Sequence, residues 1–173
     1  MMSRILLLAI FSTTLFACGS GDDHHGPMTY YTDFDAFFGW SDHPALRKGN
    51  AHSGEWFTIA DRAKPYTLSF HALSGEISSR PLRKAEVSFW TKVSSLPCRA
   101  KLVLSADDTS GSVFWEGKVL DSLVSKKDEW VEVKYTFDLP VGKISPDHLV
   151  KAYIWASDKK TIMIDDMLVR FEN

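Results

Sequence analysis

The chain has 173 residues, 45% of them hydrophobic and 24% charged, and a formal net charge of -2. Acids and bases are interspersed, so there is no basic stripe of the kind that follows a nucleic-acid backbone and no charge excess that would hold the chain open. Two cysteines, Cys18 and Cys98, are too few for a disulfide scaffold, and the length past an N-terminal leader suits one domain with its own core rather than two.

In chain order, Arg4 is followed by an apolar run over residues 5–16 that falls short of the roughly 20 residues needed to span a bilayer. The run closes on Leu15-Phe16-Ala17-Cys18. A small residue directly before a cysteine at this position resembles the lipobox of bacterial lipoprotein signal peptides. The resemblance implies that residues 1–17 are a signal peptide removed before Cys18, which becomes the lipidated first residue. Residues 18–28 then read as lipidated cysteine and flexible tether, because Gly19 and the residues up to Pro27 are small, polar and acidic with nothing to bury. The pair Asp22-Asp23 shortly after the cysteine resembles the export signal of surface-exposed lipoproteins in the Bacteroides group. It implies a cell-envelope protein held by its lipid alone on the outer membrane, at the cell surface. His24 and His25 beside these acids have metal-ligand chemistry, but adjacent ligands on a linker are not preorganised, and a solvated tether is the expectation. Cys98, just after Pro97, reads as a small buried hydrophobe.

Past the tether no stretch forms a convincing amphipathic helix, whereas period-two alternation recurs between clusters of Gly, Pro, Asp and Ser. Strands are expected near residues 30–38, 56–60, 66–70, 85–93, 100–106, 113–119, 131–137, 152–156 and 161–171. In the fourth of these Ala85, Val87, Phe89 and Val93 oppose Glu86, Ser88, Trp90 and Lys92; further on, Ala152, Ile154 and Ala156 oppose Lys151, Tyr153 and Trp155. About nine short strands cannot each bury one face in a single flat sheet, so residues 29–173 read as one all-β domain, a two-sheet antiparallel β-sandwich.

The last strand changes phase. Ile162 and Ile164 lie on one alternation and Met167, Val169 and Phe171 on the other, which predicts a bulge at Asp165-Asp166.

The order of several motifs then resembles the galactose-binding-like jelly rolls, in particular the carbohydrate-binding modules of bacterial polysaccharide hydrolases. The motifs are the aromatic-acid segment Thr32-Asp33-Phe34-Asp35, the small-residue loop Ala51-His52-Ser53-Gly54, the strand Val87-Ser88-Phe89-Trp90-Thr91-Lys92, the tryptophan-led strand Glu129-Trp130-Val131-Glu132-Val133 and the ending Ile164-Asp165-Asp166-Met167-Leu168-Val169. The likeness implies a jelly-roll fold and a structural calcium ion held by an acid of the first strand, a loop and an acid of the last strand. Carried onto this chain, those positions are Asp35, the loop 50–53 with Asn50 and His52, and Asp165; Asp35 stands where the family more often has glutamate.

A sugar presents a polar rim and an apolar C–H face, so its site needs flat aromatic side chains beside hydrogen-bonding groups. Trp90, Tyr153 and Trp155 lie on the polar alternation of their strands with Glu86, Lys92 and Lys151, and would share one surface if those strands are neighbours. Trp130 is expected to support the fold, while Trp115 is ambiguous because apolar residues occupy both phases around it. Trp40 and Trp56 flank a long loop with Ser41, Asp42, His43, Arg47 and Lys48, which is a second candidate region. Asp107-Asp108 and Asp165-Asp166 are adjacent in sequence and would point to opposite strand faces, unlike a paired-carboxylate dyad; Ser53 lacks the strand-turn-helix setting of a nucleophile elbow, and no HExxH motif occurs. The reading is a noncatalytic, surface-anchored lipoprotein that binds carbohydrate, polysaccharide or oligosaccharide, through a jelly-roll module. The alternative is an envelope lipoprotein whose sandwich docks a partner protein.

Overall fold

The computed structural model describes residues 27–36, 40, 45–67 and 70–173. The expected signal peptide, Cys18, the expected tether as far as Gly26, and Ser41, Asp42 and His43 of the long loop lie outside the described residues. The strands run β1 (Thr29–Thr32), β2 (Leu46–Lys48), β3 (Trp56–Ala60), β4 (Phe70–Leu73), β5 (Lys84–Val93), β6 (Lys101–Asp107), β7 (Ser112–Val119), β8 (Val131–Asp138), β9 (Leu149–Trp155) and β10 (Ile162–Glu172). They form two antiparallel sheets, one ordered β2-β3-β10-β5-β8 with β1 also on β10, the other ordered β4-β9-β6-β7. The two-sheet sandwich expected from the alternation is therefore what forms.

The alternation explains it. On β5, Ala85, Val87, Phe89, Thr91 and Val93 are buried and the residues between them are not; on β9, Val150, Ala152 and Ile154 are buried and Lys151, Tyr153 and Trp155 are half-buried. Each inward aliphatic or aromatic side chain is worth roughly 1.5–3 kcal/mol when removed from water, and only a second sheet can cover such a row. At one side the layers are joined by aromatic rings: Phe70 of β4 lies 4.8 Å from Tyr30 of β1, 5.7 Å from Phe171 of β10 and 5.7 Å from Trp40, centroid to centroid. Cys98 is fully buried, as expected of a small hydrophobe.

The expected bulge in the last strand is present. Asp165 pairs with Trp90 and Leu168 with Ser88, so Asp166 and Met167 together face Phe89. Asp166 absorbs the extra residue with a φ of 48°. The phase switch has a topological cause: Ile162, Met163 and Ile164 pair with β3, whereas Met167 and the residues up to Arg170 pair with β1.

Four boundaries differ from expectation. The first strand stops at Thr32, because Thr32 Oγ1 accepts the Phe34 amide and Asp33 Oδ1 accepts those of Asp35 and Ala36, turning the chain out of the sheet with Phe34 at φ 61°. Tyr66 makes one bridge to Trp155, and the strand expected at 66–70 is displaced to β4. Ser74–Ile77, where the turn residues Leu73-Ser74-Gly75 separate two expected strands, is one helical turn whose Glu76 carboxylate accepts the Leu73 amide. Met28 belongs to the domain rather than the tether, since its carbonyl accepts the Phe171 amide at 2.9 Å. β2 carries no alternation in Leu46-Arg47-Lys48 and had no sequence signal.

Replacing Phe70 by alanine should cost about 3–5 kcal/mol, read as a fall in the urea midpoint; Thr136→Ala, on an exposed face of β8, should cost within about 0.5 kcal/mol. Equal effects would contradict the role of Phe70 in joining the layers.

Candidate ligand-binding face

The expected ligand residues do not share a surface. Glu86, Trp90 and Lys92 are on β5 of one sheet, and Lys151, Tyr153 and Trp155 on β9 of the other. With inward residues of both strands in the core, the two sets face away from each other. Adjacent position in one sheet was the condition for a common patch, and strand order does not meet it.

The β5 face is closed by its own side chains. The His52 ring stacks on Trp90 with centroids 3.8 Å apart and planes at 12°, and Trp130 meets His52 edge-on at 6.0 Å and Phe57 at 6.4 Å. Trp130 thus props the 50–53 loop from outside the core. Glu86 lies between Lys134 at 2.9 Å and Arg170 at 3.8 Å.

The opposite face is open. Register places Lys151, Ser105 and Trp115 in one outward row across β9, β6 and β7, then Tyr153, Val103 and Gly117, then Trp155, Lys101 and Val119. A groove of about 400 Å³ is lined by Tyr66, Thr67, Ser105, Asp107, Ser112, Trp115, Lys151 and Tyr153. Tyr66 stacks on Trp155 at 6.3 Å with planes at 23° and meets Tyr153 edge-on at 5.8 Å. Both Tyr66 and Trp115 are 45% exposed, so each offers a free ring face to solvent. Hydrogen-bonding groups stand beside them: Lys151 Nζ pairs with Asp107 Oδ2 at 2.8 Å, and Ser105 and Thr67 lie on the wall. Burial pushes the Tyr153 phenol above its usual pKa, against the hydrogen bond it shares with the Trp115 side chain, so it stays protonated near neutrality.

Gly117 sets the attitude of Trp115. A Cβ on Gly117 would lie 2.6 Å from Trp115 Cη2, so the indole lies flat across β7 only because no side chain is there. Of the residues lining this groove, Lys151 and Tyr153 were singled out from alternation, whereas Tyr66, Ser105, Asp107 and Trp115 were not expected beside them. The signal for Trp115 was a glycine two residues away on the same strand face.

The positions carried over for calcium are brought to one place but not into an oxygen cage. Asp165 is fully buried; its Oδ2 accepts the amides of His52 at 2.6 Å and Ser53 at 3.0 Å, and its Oδ1 accepts that of Asp166 at 2.8 Å. Asp35 accepts the Glu55 amide with both oxygens, at 3.1 and 3.0 Å. The loop therefore offers these acids N–H groups, and the His52 ring turns to Asp166. Calcium takes roughly six to eight oxygens, and among the described residues no three His, Cys, Asp or Glu side chains gather to hold a metal ion. This set does not fit the ion as it stands, and Asn50 is exposed at the edge of the loop.

Burial pushes Asp165 up to about 6 despite its three amide donors. Burial acts the same way on Asp166, but hydrogen bonds from Ser53, His52 and Tyr31 outweigh it and hold that carboxyl below its usual range. The meeting of Ser53, His52 and Asp166 is not a nucleophilic triad. Ser53 Oγ donates to the carboxylate at 2.6 Å, as His52 Nδ1 contacts it at 2.5 Å, whereas a triad needs the hydroxyl on the imidazole. Asp108 is likewise committed, accepting from Ser110 and Gly111 within its own turn.

No protein-family model matches the chain, and no curated protein matches it. Solved structures do. The CBM22-2 xylan-binding domain of Paenibacillus barcinonensis Xyn10C aligns with a TM-score of 0.57 and 14% identity over 83% of this chain and 99% of that one. The N-terminal CBM22-1-CBM22-2 tandem domain of the same protein aligns at 0.53 and 14%, over 85% and 47%. The enzymatically active domain of Bacteriophage CBA120 tailspike protein 4 aligns at 0.50 and 11%, over 81% and 20%. The class these likenesses define is the jelly-roll β-sandwich, a fold found in carbohydrate-binding modules and also within an enzyme. At such identities the likeness carries the fold and not the ligand.

Two outcomes test the geometry. Asp165→Ala, which strands buried amides, should lower stability by about 2–4 kcal/mol, while replacing calcium by a chelator should leave the melting temperature of the unaltered protein unchanged; a clear fall in chelator would restore the ion. Gly117→Ala should lift the Trp115 indole, seen as a red shift and greater quenching of its fluorescence relative to a Trp115→Phe control, with stability altered by less than about 1 kcal/mol.

Proposed function

We propose that this protein is a noncatalytic, lipid-anchored carbohydrate-binding protein of the bacterial cell envelope, which holds a polysaccharide or oligosaccharide in the groove on the β4-β9-β6-β7 sheet. The observation that carries the reading is the lining of that groove. Tyr66 and Trp115 offer exposed aromatic faces to sugar C–H groups, and Tyr153, Ser105, Asp107 and Lys151 stand beside them to bond hydroxyls. The xylan-binding domain with the same fold supports it. The ligand set expected from sequence is revised accordingly: Lys151, Tyr153 and Trp155 stay, and Glu86, Trp90 and Lys92 give way to Tyr66, Ser105, Asp107 and Trp115.

The lipobox-like Leu15-Phe16-Ala17-Cys18 and the acidic pair after it support anchorage through Cys18 and display at the outer-membrane surface. Retained there, bound glycan stays within reach of separate hydrolases or transporters. Incorporation of labelled palmitate that is abolished by Cys18→Ala is the expected result for the anchor.

For the groove, a glycan array in which related sugars are retained should be followed by titration of the best one. Trp115→Ala and Tyr153→Ala should each weaken binding about tenfold or more, and Trp90→Ala should leave it unchanged. A folded protein that binds no glycan, or loses binding only through Trp90, overturns the assignment and favours a face that docks an envelope protein.

A further inference from the structure

Among the described residues of β6, β7 and β9, Lys101 is a charged side chain of the aromatic face that takes no part in the pairing of Lys151 with Asp107. It points outward from β6 between Trp155 of β9 and Val119 of β7. Its Nζ lies 5.4 Å from the Trp115 ring and 5.4 Å from the Trp155 ring, and its stem runs beside Gly117, with Cδ 3.2 Å from where a Cβ there would stand. Lys151, the other ammonium of this face, is neutralised by Asp107 at 2.8 Å. Lys101 takes part in none of the ion pairs among the described residues.

Two indoles hold an ammonium through their ring quadrupoles without cancelling its charge, and they displace part of its water. The result is a positioned cation between Trp115 and Trp155 at one end of the groove, whose lining carboxylate, Asp107, is already committed to Lys151. Resting on the reading of this groove as a glycan site, we infer that its preferred ligand is an acidic glycan, one carrying a carboxylate or a sulfate, and that Lys101 is the residue that selects it. The chemistry suits both parts of such a sugar. A hexuronate keeps the apolar C–H face that stacks on an aromatic ring and carries a carboxylate at the ring edge in place of a hydroxymethyl group. A sulfate ester likewise leaves the stacking face free. Lysine meets either as a compact point charge with three donors and demands no planar partner.

The test pairs acidic polymers with their neutral counterparts. Polygalacturonate and its carboxyl-reduced form, and chondroitin sulfate and its desulfated, carboxyl-reduced form, are titrated against the full chain in detergent at about 50 mM and about 300 mM NaCl. At low salt at least one acidic polymer should bind about tenfold tighter than its neutral partner, the gap should narrow at high salt, and Lys101→Met should close it while keeping the stem that packs on Trp115. Equal binding of acidic and neutral forms, or a gap that survives in Lys101→Met, overturns the assignment of Lys101 while the glycan reading stands. Binding of no glycan at all by protein with an unchanged melting curve removes both.

Discussion

A buried carboxylate that accepts three backbone amides organises one whole side of this sandwich. Asp165 sits at the point where β10 exchanges β3 for β1 as its neighbour, so the amides of the 50–53 loop have no strand to pair with there. Its oxygens take up His52, Ser53 and Asp166 in place of a ladder, and buried amides left unpaired would each cost on the order of 1–3 kcal/mol. The bulge follows from the same constraint: one extra residue turns Asp165 toward the loop and returns Met167, Val169 and Phe171 to the core. Asp166, next in the chain, then gathers Tyr31, Ser53 and His52, and so fastens β1 and the loop to the same strand.

This fastening decides which face of the molecule is available. His52, held by Asp166, lies flat on Trp90 and uses up the aromatic surface of β5, while Lys134 and Arg170 take up Glu86. On the other sheet Tyr66 covers Trp155 but leaves Trp115 45% exposed. Tyr66 and Trp115 reach solvent there, above the buried Val103 and Ser105, and Trp115 rests on a glycine where another residue would have pushed it upright. The difference between the two faces lies in what covers each, since both carry aromatic side chains on their polar alternation.

Much of the fold was legible because burial repeats with period two. Val87 and Phe89, or Ala152 and Ile154, declare an inward face by their spacing alone, and the clash of phases between Ile164 and Met167 declared a bulge. Strand order is not written in spacing. Trp90 and Tyr153 have the same pattern around them, yet one lies in each sheet, because pairing depends on long-range contacts that a local pattern does not encode. Tyr66 was hidden for a related reason: a single bridge to Trp155 places its ring, and no periodicity marks a residue that pairs alone. The acids Asp35 and Asp165 were located correctly at the loop, whereas the direction of the loop's amides toward them depends on backbone conformation, with Gly54 at φ 55° beside the Asp35 carboxylate.

The pairing of β1 with β10 also determines how the domain carries mechanical load. The chain enters at Pro27, and Thr29, Tyr30, Tyr31 and Thr32 run antiparallel to Arg170, Val169, Leu168 and Met167, with the Phe171 amide on the Met28 carbonyl at 2.9 Å. A pull on residue 27 is directed along β1, nearly at right angles to its hydrogen bonds to β10. Those bonds are strained together in shear and not peeled one after another, and the Tyr31 bond to Asp166 lies in parallel with them. The groove lies on the opposite sheet, so tension between it and the entry point crosses the core and is spread over the packed rings of Tyr30, Phe70 and Phe171. A domain connected in this way meets a pull on its first strand with many contacts at once.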